Sequence, residues 1–186
     1  ISGGIVSAVD LLRGIGKCAN MEVPLVKGAT GYIDTDFTAK KDAAIKLFED
    51  GTDLVYIHME APDECGHRGE VENKIKSIEM IDKLVVGPML QYLKGTPHSI
   101  LVMPDHPTPL TLKTHVADPV PYLIYNSENP VSGVSSINEK TVETVIIRSR
   151  SLRSIVGGEK RSTTLPTSLT RTAFPVGLYM RMFSIS

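Results

Sequence analysis

Two aspartates and three histidines are the residues of this 186-residue chain best suited to chemistry: Asp63, His67, Asp105, His106 and His115. They fall as Asp63-x-x-x-His67, the adjacent pair Asp105-His106, and His115 a short loop later. Imidazole with carboxylate is the donor set of Zn²⁺ or Mn²⁺, whereas Mg²⁺ alone favours oxygen. Five donors exceed what one catalytic ion with an open position needs. They suit two ions sharing a site, the arrangement used in phosphoryl transfer. Asp63 and His67 can serve one ion across a tight loop. Asp105 and His106, adjacent and expected to point in different directions, fit the shell of a second. His115 completes whichever shell is short. His58 and His98 are expected to be ordinary packed or exposed side chains, and Cys65 to fill a small-residue position beside the first pair.

Both acidic clusters follow strongly apolar runs, Leu54-Val55-Tyr56-Ile57 and Ile100-Leu101-Val102-Met103. A run that ends abruptly in donor residues reads as a buried strand delivering them to one edge of a sheet, where open α/β sheets bind ligands. Helical patterns alternate with these strands, so the expected fold is α/β, a largely parallel sheet with helices on both faces. Helices are expected over Ser7–Ala19 and Thr38–Glu49, the second capped by the Asp34-Thr35-Asp36 group and stopped by Gly51. A long amphipathic helix from about Glu70 should present Val71, Ile75, Ile78, Ile81 and Leu84 on one face and be divided at Gly87-Pro88. Strands are expected over Glu22–Val26, Asp53–Met59, His98–Pro104 and Pro121–Tyr125. Pro62–Gly69 reads as a loop.

Composition narrows the class. Apolar residues make up 41% of the chain and the net charge is −1, which gives no reason to invoke nucleic acid. No apolar run reaches membrane-span length, and no signal peptide opens the chain. Two cysteines do not make a disulfide framework, so a reducing cytoplasmic setting is the expectation. Charge is uneven: residues 1–143 carry 13 basic and 20 acidic groups, whereas residues 144–186 carry seven basic groups and the single acid Glu159. Two regions follow. Residues 1–144 read as part of a metal-binding domain, and residues 145–186 as a basic, Ser/Thr-rich tail expected to be disordered. The opening Ile1-Ser2-Gly3-Gly4, without Met, reads as a chain entered partway through a fold.

Three segments together carry a family resemblance. Ile57 to His67 (IHMEAPDECGH), Asp105-His106-Pro107-Thr108-Pro109 and Thr114 to Pro121 (THVADPVP) resemble the metal segments of archaeal-type cofactor-independent phosphoglycerate mutases, in the alkaline phosphatase superfamily. Gly28-Ala29-Thr30-Gly31-Tyr32 and Val86-Gly87-Pro88 agree in order and spacing, and the likeness covers residues 5 to 144. The resemblance implies interconversion of 2- and 3-phosphoglycerate through a phosphoserine enzyme. It implies two divalent ions, Mn²⁺ foremost, with Zn²⁺, Mg²⁺ or Co²⁺ as alternatives. By the same likeness Asp63, His67 and His115 match one ion's ligands, and Asp105 and His106 match two ligands of the other.

The remaining Asp ligand and the nucleophilic Ser belong, in that family, to an N-terminal part ahead of Ile1. Ser7 falls in a segment the family places after that Ser and reads as helix entry. The chain alone is thus expected to be a C-terminal fragment without turnover. The text from Val145 departs from the family's closing helix, as a shifted reading frame or a mis-joined exon would make it. The implied partner is a small phosphoglycerate, with no nucleic acid or membrane, and the oligomeric state stays open. Other readings are a phosphatase, phosphodiesterase or phosphopentomutase of the same superfamily, a non-haem Fe(II) oxygenase using Asp63, His67 and His115, or a non-catalytic metal-binding product.

Overall fold

The computed structural model describes residues 1–130 and the backbone of residues 178–184. Five strands form one sheet: β1 (Gly3–Val6), β2 (Leu54–Met59), β3 (His98–Met103), β4 (Leu123–Asn126) and β5 (Leu178–Ser184). Their spatial order is β1-β2-β5-β3-β4. β1 pairs parallel with β2, and β5 pairs antiparallel with both β2 and β3, so β1, β2 and β3 run in one direction. β4 runs against β3. The α/β class is as the sequence implies, in a sheet of mixed direction. The shared direction of β2 and β3 matters most, because it brings their C-terminal ends, and the donors that follow, to one edge.

The core packs between this sheet and α2 (Phe37–Glu49), with Val6, Val55, Ile57, Ile100 and Val102 from the strands and Phe37, Ala44 and Leu47 from the helix. Asp36 caps α2, its carboxylate accepting from the Ala39 N–H at 2.8 Å, which satisfies one of the first-turn donors left without a helical partner. The long amphipathic segment divides where expected, but through a π-helical turn: α4 (Val71–Ile81), the π-turn Asp82–Val86, and α5 (Gly87–Tyr92). Pro88 directly follows the π-turn, where the regular helical hydrogen-bond register is already broken. The buried stripe of α4 is Lys74, Ser77, Ile78 and Ile81, whereas Val71 is exposed. The helix is therefore rotated from the face its aliphatic residues alone define.

Several local expectations change. The first helix is shorter, α1 (Asp10–Cys18), because the chain before it enters the sheet as β1. Glu22 makes only an isolated bridge to Gly4 in place of a strand. Pro62–Gly69 is the helix α3 (Ala61–Arg68) and its cap, not a loop. The tail expected to be disordered lies mostly outside the described residues. Within it, residues 178–184 depart from that expectation by forming β5. Their pattern Leu178-Tyr179-Met180-Arg181-Met182-Phe183 is rich in strand formers, and the inner edges of β2 and β3 would otherwise lack backbone partners.

His58, on β2, is buried and hydrogen-bonded through Nδ1 to the Ser7 hydroxyl at 3.1 Å. Ser7 Oγ already accepts from the Val9 N–H at 3.0 Å, which leaves its proton for the ring. Burial first, and the Lys40 charge second, lower the His58 pKa from 6.5 to about 4, against a pull upward from Asp63. The folded state therefore binds fewer protons than the unfolded chain. This contribution to stability is complete above pH 6.5 and is lost as pH falls towards 4. Urea unfolding at pH 7 and pH 4 should show the unsubstituted chain losing about 3 kcal/mol more than His58→Gln does. Equal losses in the two proteins would mean that His58 is not held neutral by its surroundings.

Candidate metal centre

Sequence places Asp63 and His67 four residues apart, and because α3 is a helix this spacing puts them on one face. Pro62 occupies the first turn of α3, and Gly69 ends it with φ 71°, a left-handed cap that glycine adopts without strain. The strand β3 ends at Met103, and the Pro104–Val116 loop then folds back over α3, closed by the Val116 N–H on the Pro107 carbonyl at 3.1 Å. Lys113 takes a left-handed φ of 53° in this loop.

A glycine of α3, Gly66, makes the approach possible, and its cap Gly69 stands beside the flexible Lys113 side chain. A Cβ on Gly66 would lie 2.7 Å from the Thr108 carbonyl oxygen and 2.8 Å from the Lys74 Nζ, and one on Gly69 would lie 2.7 Å from the Lys113 side chain. The loop thus sits where a side chain on α3 would stand. It delivers His115 to Asp63 and His67.

Donor atoms of Asp63, His67 and His115 all lie within 4.8 Å of one another. His67 Nε2 is 3.0 Å from His115 Nε2 and 3.4 Å from Asp63 Oδ2, and His115 Nε2 is 3.5 Å from Asp63 Oδ1. His67 Nδ1 faces the Lys113 carbonyl oxygen at 3.0 Å, an acceptor only, so Nδ1 carries the proton and the neutral ring turns a lone pair towards its neighbours. With ligand bonds of about 2.0–2.2 Å, the edges of a tetrahedral or octahedral shell measure about 3.0–3.5 Å. The separation of the two Nε2 atoms matches, and each faces a different oxygen of Asp63. The donor set fits a divalent cation, and the Lys113 carbonyl plays the orienting part that metal-bound imidazoles need.

The second pair is adjacent. His106 Nε2 lies 2.9 Å from Asp105 Oδ2, so these two side chains converge, contrary to the expectation that they point apart. The His106 ring packs on His115 at 3.7 Å between centroids, which joins the two clusters into one site. Cys65 is buried in α3 and stands outside the converging group. His98 is buried at the start of β3, the other end of the strand, with Nδ1 on the Thr96 carbonyl at 2.7 Å. His58 and His98 are core residues, as expected.

Charge around the site is mostly negative. Burial raises the Glu60 pKa, and Glu64, Asp63 and Asp105 reinforce that shift. Two lysines that composition hid oppose it. Lys40 Nζ donates to the carbonyls of Thr30 at 3.0 Å and His58 at 3.4 Å, tying the Gly28–Asp36 loop to the end of β2. Lys74 Nζ donates to the Thr108 carbonyl at 2.9 Å. Burial lowers both from 10.5 to about 8, opposed by Glu60 for Lys40 and chiefly by Asp63 for Lys74. Both lie on the buried stripe of their helix. A lysine in an apolar register is the signal that would have found them.

Comparison with known proteins gives the family. Residues 3–152 match the model of the Metalloenzyme superfamily. The chain belongs to that superfamily. It is 46% identical over 144 residues to a protein of Methanosarcina mazei named 2,3-bisphosphoglycerate-independent phosphoglycerate mutase, a match covering 76% of this chain and 36% of that protein. A protein of the same name from Methanosarcina barkeri is 49% identical over 129 residues, covering 68% and 32%. The solved structure of the PH0037 protein from Pyrococcus horikoshii shares 32% identity with a TM-score of 0.62, covering 67% of this chain and 37% of that one. The chain spans about a third of the length of these relatives. Among the described residues, no helix is long and apolar enough to cross a membrane.

Replacing glycine by alanine has opposite effects at two positions. Gly66→Ala should destabilise the chain by about 1–3 kcal/mol in urea unfolding, because Thr108 and Lys74 must move. Gly14→Ala, on exposed helix α1 with nothing within 4 Å of the added Cβ, should stabilise it by about 0.5–1 kcal/mol. A neutral Gly66→Ala would show that the loop is not seated against α3.

Proposed function

We propose that these residues are the metal-binding part of a 2,3-bisphosphoglycerate-independent phosphoglycerate mutase, interconverting 2- and 3-phosphoglycerate through a phosphoserine enzyme. Asp63, His67 and His115 hold one divalent ion, and Asp105 and His106 contribute to a second, with Mn²⁺ the ion that the family resemblance implies and Zn²⁺ compatible with the same nitrogen and oxygen donors. The observation that carries this reading is the convergence of Asp63, His67 and His115, with Nε2 atoms 3.0 Å apart. The names of the relatives supply the substrate class. Bound ions of this kind polarise phosphoryl oxygens and favour ionisation of a hydroxyl nucleophile. The chain's own residues fix where those ions stand: α3 sets the Asp63–His67 spacing, Lys113 orients His67, and the ends of β2 and β3 set the distance between the shells.

A non-haem iron oxygenase fits less well, because Asp105 and His106 stand directly beside the three-residue set and would have no role. A phosphatase or another phosphomutase of the superfamily would use the same donors, and a non-catalytic metal-binding product would retain them.

The test is a chimaera in which residues 5 to 144 replace the matching segment of the Methanosarcina mazei mutase. It should interconvert 2- and 3-phosphoglycerate without added 2,3-bisphosphoglycerate. His67→Ala in the chimaera should remove one ion per chain by elemental analysis and lower kcat by at least about 10³-fold, within what loss of ion-based charge stabilisation can cost. His58→Ala should keep both ions. Equal metal content in the chimaera and its His67→Ala form would overturn the ligand assignment. Release of inorganic phosphate in place of isomerisation would favour the phosphatase.

A further inference from the structure

Thr108 joins the two clusters. Its side chain is fully buried, and its hydroxyl meets Asp63 Oδ1 on one side and His106 Nδ1, at 3.4 Å, on the other. An ionised carboxylate only accepts, so the single Thr108 proton goes to Asp63. The hydroxyl oxygen also touches His106 Nδ1, and the other ring nitrogen, Nε2, lies 2.9 Å from Asp105 Oδ2.

The hydroxyl is held on its other flank too. The Lys74 ammonium donates to the Thr108 carbonyl, and the missing side chain of Gly66 leaves room for both. The Thr108 backbone cannot follow a shifted side chain without giving up a buried hydrogen bond. Its Oγ1 is therefore a fixed point shared by the Asp63 cluster on α3 and the His106 cluster after β3.

We propose that Thr108 is a positioning residue that couples the two metal shells: its hydroxyl orients Asp63 and holds the His106 ring beside it. This rests on the two-shell reading of the centre. Outer hydrogen-bond partners of this type change metal affinity by about 10–100-fold when removed.

The test uses the full chain, with Mn²⁺ as probe, and a readout that needs no turnover. Free Mn²⁺ counted by EPR should give Thr108→Val an affinity about 10–100-fold weaker, while Thr108→Ser, which keeps the hydroxyl, stays within about threefold. A Thr108→Val protein that folds by circular dichroism and binds Mn²⁺ like the parent overturns the coupling. His67→Ala separates the two levels. If it binds Mn²⁺ as the parent does, the metal reading itself falls. If it loses binding while Thr108→Val does not, only the role of Thr108 falls.

Discussion

Close approach of one loop to one helix is the constraint on which the rest of the site depends. The Pro104–Val116 loop lies on α3 where Gly66 puts no side chain in the way of the Thr108 backbone. From that seat the Lys113 carbonyl orients His67, the Thr108 hydroxyl reaches Asp63, and His115 arrives between the His67 and His106 rings. Direction within the sheet supplies the other half. β2 and β3 run the same way, so α3 and the loop both begin at one edge. Neither cluster could meet the other if one of these strands were reversed.

Electrostatics at this edge follow from the same packing. Asp63, Asp105, Glu60 and Glu64 gather there, and mutual repulsion adds to burial in raising the Glu60 pKa. Lys40 and Lys74 offset part of that repulsion from below, each spending its hydrogen bonds on backbone carbonyls, not on a carboxylate. A buried ammonium bound to a carbonyl fixes geometry without taking a carboxylate as its hydrogen-bond partner. The two lysines thus hold the end of β2 and the Thr108 loop, and Lys74 also acts on Asp63 through its charge.

Much of this was legible in the sequence, and the gaps have physical reasons. Apolar runs ending in Asp63 and Asp105 marked β2 and β3 because buried strands need no polar alternation. The five donors were visible as residue types at strand ends. The helix α3 was missed because Pro62, Gly66 and Gly69 resemble loop residues. Proline is tolerated in a first helical turn, Gly69 is a cap, and Gly66 serves packing. Lys74 and Lys40 were missed because amphipathic patterns count lysine as solvent-facing, and their partners are carbonyls distant in sequence. Thr108 stood inside a segment already singled out, but its hydroxyl matters only once α3 is within reach. β5 depends on pairing across the sheet, which local composition does not report.

Two adjoining divalent-ion shells, sharing Thr108 and built on α3 and the loop after β3, are the central claim. Anomalous X-ray diffraction at the manganese edge, on crystals grown with Mn²⁺, tests it most directly. One peak is expected about 2.0–2.3 Å from Asp63, His67 Nε2 and His115 Nε2, and a second beside Asp105 and His106 Nε2. A single peak bridging all five residues, or peaks only at surface carboxylates away from α3, would contradict it.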